Sequence, residues 1–449
     1  MATLLLRHAE TVVTMDAQRR ELPDGGVFIR DGIIEAVGPS ASLPASADEV
    51  LDVTGCVVLP VLINTHHHMY QSLTRALPAA QDAELFGWLQ ALYPVWGRMD
   101  PDVLRTATEV AMVELMLSGC TTSSDHLYLF PNGCRLEDTI EAAAGLGLRF
   151  TATRGAMSVG RSRGGLPPDA LVEQEDDILR DMQRLVECFH DPAPGSLIQI
   201  ALAPCSPFSV SEDLMRETAS LARHLGVRLH THLAESANDV AYSRERFGKT
   251  PAEYAESLGW IGPDVWHAHC VQLDAAGIAR FAASGTGVAH CPCSNMRLAS
   301  GIAPVPAMRE AGVPVGLGVD GSASNDSGHL LAEVRQAMLL ARVGFGPSVM
   351  SARGALELAT LGGARVLGRA DIGALAPGMA ADIAVFPVDQ LVLAGHHDPV
   401  AALVFCTPPS VRHLIIDGHI RVRDGAVPGL DSAALAARQR SNARRLGAS

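Results

Sequence analysis

The sequence predicts an α/β fold: a (β/α)8 TIM-type barrel over residues 61–370, carrying a small β-sandwich built from both chain ends, 1–60 and 371–449. Three observations predict it. Apolar strand-like runs alternate with helical patterns through the middle of the chain. Ionisable residues gather at the C-terminal ends of those runs, where barrel enzymes keep their chemistry. Both ends of the chain share a texture of short strands and tight turns.

At the N-terminal end, Thr3–Leu6, Val27–Ile29, Ile33–Val37 and Val57–Leu59 are β-rich and broken by Asp24-Gly25-Gly26 and Arg30-Asp31-Gly32. The texture returns at Asp382–Phe386, His413–Ile416 and Ile420–Val422, with turns at Pro377-Gly378 and Asp417-Gly418. In between, the strand candidates are Leu62–Thr65, Thr121–Asp125, Arg149–Arg154, Ile198–Ala203, Val227–Thr231, Val265–His269, Gly287–Cys291 and Val315–Val319. Helical patterns at Pro101–Leu117, Ser211–Leu225, Pro251–Leu258 and Ala352–Leu367 lie between or after them. Alternation alone also fits a doubly wound sheet; the placement of polar residues favours the closed barrel.

Composition narrows the class of partner. Of 449 residues 48% are hydrophobic and 19% charged, enough apolar content for a large core and too little polarity for extensive disorder. The 35 basic and 49 acidic residues give a net charge of −14, which opposes nucleic acid and anionic membranes as partners. No apolar run reaches the roughly 18 residues of a membrane span, and Met1–Asp16 does not read as a secretory leader. The 9 cysteines are odd in number and scattered, as expected of reduced thiols in the cytoplasm. The expected partner is a neutral small molecule, with homo-oligomerisation left open.

The chemistry-bearing residues lie at the ends of the central runs. The first ends Asn64-Thr65-His66-His67-His68; alternate side chains of an extended segment share a face, so His66 and His68 can meet one ion while His67 turns away. Alone, the triplet fits an exposed polar turn equally well. The fifth run ends His230-Thr231-His232-Leu233-Ala234-Glu235, the sixth His267-Ala268-His269, the seventh His290-Cys291-Pro292-Cys293 and the eighth Asp320-Gly321-Ser322. Several imidazoles and a carboxylate aimed at one barrel axis are costly to desolvate without a shared partner, and a metal ion supplies one.

These motifs, with Ala268-His269-Cys270-Val271, His290-Cys291-Pro292-Cys293-Ser294-Asn295 and Ala376-Pro377-Gly378-Met379-Ala380-Ala381-Asp382, resemble the amidohydrolase superfamily in its cytosine, guanine and triazine deaminase-like branch. The resemblance runs over essentially the whole chain. It implies a single divalent ion on His66, His68, His232 and Asp320, with Glu235, His269 and Asp320 as catalytic groups. Zinc is the first expectation and iron(II) the second, since imidazoles and a carboxylate suit either. Relatives that bridge two metals use a carboxylated lysine on the fourth strand; here Ala201–Ser206 has none, and Lys249 is the chain's only lysine. One departure is Val61, where the family has glycine after the proline. The unrelated cytidine-deaminase solution needs Pro-Cys-x-x-Cys, which this chain lacks.

The resemblance implies hydrolytic deamination of a free heteroaromatic base. Two segments, His66–Arg75 and Thr153–Ser158 with Gly164–Pro168, are similar to the group acting on 8-oxoguanine, which yields urate and ammonia. Hydroxyatrazine-type triazine aminohydrolases and guanine deaminases are the alternatives, and a non-catalytic barrel scaffold is the alternative of another class. Gln71 can both donate and accept, Arg154 can offer a fork of N–H groups to a carbonyl, and Glu235 can meet a ring nitrogen; these are the expected substrate-binding residues. Helix surface and barrel-rim ion pair fit Gln71 and Arg154 as well. The loop Gly160–Gly165 resembles an active-site cover and equally an ordinary exposed loop.

Overall fold

The computed structural model describes residues 2–447, so the outermost residues of the expected terminal segments, Met1 and 448–449, lie outside it. The N-terminal strands are β1 (Thr3–Val13), β2 (Glu21–Arg30), β3 (Ile33–Pro39), β4 (Glu49–Asp52) and β5 (Cys56–Pro60). Eight parallel strands follow: β6 (Leu62–Asn64), β7 (Cys120–Leu127), β8 (Arg149–Ala156), β9 (Ile198–Pro204), β10 (Arg228–Leu233), β11 (Val265–His269), β12 (Gly287–His290) and β13 (Val315–Leu317). They form a closed barrel, sealed where Leu317 of β13 pairs Asn64 of β6. Every residue of β7, β8 and β11 is buried, because barrel strands are covered by side chains inside and by helices outside.

The chain ends join in one further sheet. Strands β14 (Ile383–Pro387), β15 (His413–Ile416) and β16 (His419–Arg423) add to the N-terminal strands in the order β16-β15-β14-β5-β1-β2-β3, with β4 parallel to β1 off that path. A bulge between Leu6 and Ala9, with His8 at φ 65°, bends β1. Leu4, Val12, Ile29, Ile34, Ile383 and Ile415 then share one buried core. Strands from both chain ends thus share one apolar core within a single sheet. Strand β4 escaped the sequence reading because only Leu51 of its four residues is buried, so it carries no apolar pattern.

Local sequence explains the helices that matter for the site. Asp100 caps Pro101–Leu117 by accepting from Val103 N–H, and Ser211 caps Glu212–Leu225, which Gly226 ends at φ 71°. The single helix expected over Ala352–Leu367 is divided: Ala352–Glu357, a π-turn at Leu358–Gly362, then Gly363–Val366. A Cβ at Gly363, which opens the helix after this turn, would stand 2.7 Å from Ile63 Cβ, so the chain here packs directly against β6. Within the C-terminal segment, the helix Ser432–Gly447 packs on Pro101–Leu117 of the barrel and not on the sheet, and Gln439 Nε2 donates to Ser72 Oγ at 3.0 Å. No helix among the described residues is long and apolar enough to cross a membrane.

Barrel and sheet are clamped by Arg149, fully buried at the start of β8. Its guanidinium donates to both oxygens of Asp382 at 2.8 and 3.0 Å and to Asp417 at 2.9 Å, and the Asp417 N–H donates to Asp382 at 2.9 Å. Removing one member of such a group strands the other charge in the interior. Arg149→Leu is therefore expected to cost about 3–5 kcal/mol in urea unfolding, and pairing it with Asp382→Leu should recover part of the loss.

Candidate active site

His66 and His68 lie just beyond β6, His232 on β10, His269 at the end of β11 and Asp320 after β13, so four strand ends deliver them to one point. His68 Nε2 is 3.1 Å from His232 Nε2, and Asp320 Oδ1 is 3.3 Å from His66 Nε2 and 3.4 Å from His68 Nε2. All are buried. His67, the middle of the triplet, takes no part in this cluster.

The protons are placed by the other ring nitrogens. His68 Nδ1 lies 2.7 Å from the His126 carbonyl and His232 Nδ1 2.6 Å from the Cys205 carbonyl; a carbonyl only accepts, so each Nδ1 carries the hydrogen and each Nε2 is bare. His66 is fixed one step further out. His230 Nδ1 donates to the Trp266 carbonyl at 3.0 Å, leaving His230 Nε2 to accept from His66 Nδ1 at 2.8 Å. His66 Nε2 is bare too, and it has no hydrogen-bond partner. Burial holds His66 and His230 well below the ordinary imidazole range and brings His232 down to about 3, so all are neutral.

Three bare lone pairs and a carboxylate oxygen thus converge with no proton between them. Repulsion of this kind requires a cation, and neutral imidazoles with orienting carbonyl partners are what divalent ions take. The donor set fits a metal ion.

Above this cluster sits a pocket walled by Trp88, Leu89, Tyr93, Tyr128 and Phe208 and floored by His68, His232, Glu235, His269 and Asp320. The helix Leu85–Trp96 supplies the apolar wall, and Trp88 is pinned there by donating Nε1–H to the Ala323 carbonyl at 3.0 Å. Glu235 follows Ala234, which is held at φ 52°, and the Asp239 side chain accepts from Glu235 N–H at 2.8 Å. Burial, with the nearby Asp239 and Asp320 carboxylates, pushes the Glu235 carboxyl well above the usual carboxylate range. His269 donates Nδ1–H to Asn295 Oδ1 at 3.0 Å, and its Nε2 lies 3.5 Å from Glu235 and 3.8 Å from Asp320. His269 and Asp320 occupy the left-handed region at φ 70° and 60°, a strain found where surrounding structure dictates geometry.

Gln71 and Arg154 part ways. Gln71 lines the pocket, buried, with neither amide atom hydrogen-bonded, and a Cβ at Gly321 would overlap its Oε1. Arg154 is not in the pocket. It projects from β8 toward the helix Glu175–Phe189, where it pairs with Asp181 at 2.7 Å and Glu173 at 2.7 Å and lies 3.9 Å over the Phe130 ring. Its donors are spent in a barrel-rim ion pair, so the expectation that it reads substrate is corrected. The 160–165 loop likewise contributes nothing to the pocket wall. The sequence motifs leave out His126 and include Asn295 without a role. Asp125-His126 ends the second barrel strand, so the rule that picked out the other histidines applies to it as well.

Residues 57–421 match the amidohydrolase family. The chain belongs to that family. Amidohydrolase membership brings its class of reaction: this is a hydrolase acting on C–N bonds. An 8-oxoguanine deaminase of Pseudomonas aeruginosa is 48% identical over 94% of this chain and 95% of its own. A hydroxydechloroatrazine ethylaminohydrolase of Pseudomonas sp. is 40% identical over 97% and 94%. Among solved structures, an atrazine chlorohydrolase from Arthrobacter aurescens complexed with zinc superposes with TM-score 0.94 at 34% identity, covering 98% of this chain and 100% of its own. An adenosine deaminase from Xanthomonas campestris with bound zinc gives 0.91 at 28% identity, over 99% and 98%.

His68 contributes its lone pair at the centre of the cluster. Elemental analysis of His68→Ala, purified beside the parent from zinc-supplemented medium, is expected to find the parent's bound metal lost.

Proposed function

We propose that this amidohydrolase deaminates a free heteroaromatic base, and that its substrate is 8-oxoguanine, converted at C2 to urate with release of ammonia. One observation carries the proposal: an amide with both atoms unspent, Gln71, and a buried carboxyl, Glu235, whose hold on a proton burial strengthens, face the same apolar-walled pocket. Planar walls suit a ring, and the two side chains suit its polar edges. The 48% identity to the P. aeruginosa 8-oxoguanine deaminase supports this base over others.

One zinc ion on His66, His68, His232 and Asp320 belongs to the same proposal. When bound, it supplies Lewis acidity that makes a water nucleophilic near neutral pH. The zinc-containing relatives support the choice of metal, and Lys249, donating to Ser257 Oγ at 3.0 Å on the surface, is remote from any bridging position.

The protein's own groups then divide the work. Asp320 Oδ2 accepts a proton from the attacking water. His269 Nε2, fixed by Asn295, orients that water between Glu235 and Asp320. Glu235 protonates the ring nitrogen beside C2, so negative charge does not build on the ring as the C–O bond forms. The proton held by Asp320 passes to the exocyclic amine. Collapse of the tetrahedral carbon breaks the C–N bond while its hydroxyl returns a proton to the Glu235 carboxylate, leaving a ring carbonyl and ammonia. Gln71 holds the ring edge, and the aromatic walls exclude bulk water.

Glu235→Gln should keep its metal and lose about 10²–10⁴-fold in kcat, because an amide cannot cycle a proton. For the substrate, kcat/KM measured on one preparation should favour 8-oxoguanine over guanine and hydroxyatrazine by about tenfold or more. The extra C8 carbonyl and N7–H change a ring edge that buried polar groups must match. A lead for hydroxyatrazine or guanine of that size would replace the substrate while leaving the metal site standing.

A further inference from the structure

His126, at the end of β7, stands beside the metal cluster and has no part in the ligand set proposed above. It is fully buried, its ring is stacked on His232 with centroids 4.9 Å apart, and it lies 5.4 Å from the His68 ring. Its Nε2 is 2.8 Å from the Ala203 carbonyl, so Nε2 carries the hydrogen and Nδ1 is a bare lone pair. That Nδ1 has no partner. A buried acceptor without a donor is costly, and such groups in a folded protein mark something missing.

The neighbouring side chains cannot fill the gap. Each neutral imidazole owns one N–H, and those around His126 are already committed: His68 to the His126 carbonyl, His232 to the Cys205 carbonyl, His230 to the Trp266 carbonyl and His66 to His230. None of these four imidazoles has an N–H left for His126 Nδ1. Substrate does not reach it either, because His126 is not among the residues lining the pocket. An electron-pair acceptor is what the position lacks. One ligand atom from each of His66, His68, His126 and His232 lies within 4.8 Å of the others.

We propose that His126 is a further metal ligand, giving the ion a fourth imidazole through Nδ1. The assignment rests on the metal site proposed above and extends it. Three of the ligands then bind through Nε2 and one through Nδ1. In each case the remaining ring nitrogen is held by a carbonyl or, for His66, by His230. The backbone carbonyl of His126 also orients His68. One residue thus supplies a ligand with its side chain and fixes another with its main chain.

Zinc K-edge X-ray absorption of the zinc-loaded protein tests this, because outer-shell scattering counts imidazole rings. Four rings per zinc are expected in the parent and three in His126→Phe, which keeps an aromatic ring against His232 without the lone pair. Chelator competition should show zinc held at least about tenfold more weakly by the variant. Three rings in both proteins would overturn the assignment, with a solvent molecule as the partner of Nδ1, and would leave the His66, His68 and His232 set intact. Fewer than three in the parent would overturn that set as well. Should the variant not fold, the parent count decides alone.

Discussion

The architecture of the barrel mouth depends on lone pairs that face one another without a proton. His66, His68 and His232 each turn Nε2 inward, and Asp320 brings an anionic oxygen within 3.4 Å of two of them. Left alone, this arrangement repels itself; what imposes it is an outer layer of acceptors on neighbouring strands. The carbonyls of His126, Cys205 and Trp266 dictate where every ring hydrogen goes. Those carbonyls are fixed by barrel closure, so the protonation pattern at the centre follows from β-strand register. Backbone at His269 and Asp320 is kept in the left-handed region for the same reason.

Closure has its own dependence. The small sheet is assembled from strands hundreds of residues apart, and the chain between them is the barrel itself. Arg149, buried against Asp382 and Asp417, joins a barrel strand to that sheet from the end opposite the pocket. The charged group is satisfied on all sides, including by the carbonyls of Gly195 and Ser196, which makes a buried guanidinium tolerable.

Much of this was legible in the sequence, for a physical reason. Strands of a parallel barrel are apolar on both faces, so a histidine or aspartate at their ends stands out against its surroundings, and His66, His68, His232, Glu235, His269 and Asp320 were visible that way. The same uniform apolarity hides which way a side chain points. Arg154 and Gln71 read alike as polar residues near strand ends, yet one faces a helix outside the barrel and the other the pocket within. Asn295 was visible as part of a motif, but its role depends on a 3.0 Å contact with His269 that no local pattern encodes. The edge strand Glu49–Asp52 and the attachment of Ser432–Gly447 to the barrel are tertiary outcomes with no periodic signature.

The close approach of Gly321 to Gln71 ties two properties that are otherwise separate. Residue 321 adjoins the carboxylate of the metal cluster, and its N–H donates to Asp320 Oδ1 at 2.7 Å. Any side chain there would enter the space filled by the Gln71 amide. The turn that carries Asp320 and the Gln71 amide in the pocket are therefore in steric contact. Enlarging residue 71 is constrained by the turn after β13, while any side chain at 321 displaces the Gln71 amide. Substitutions at the two positions are therefore expected to be non-additive, so the pocket wall at residue 71 can be rebuilt only together with residue 321.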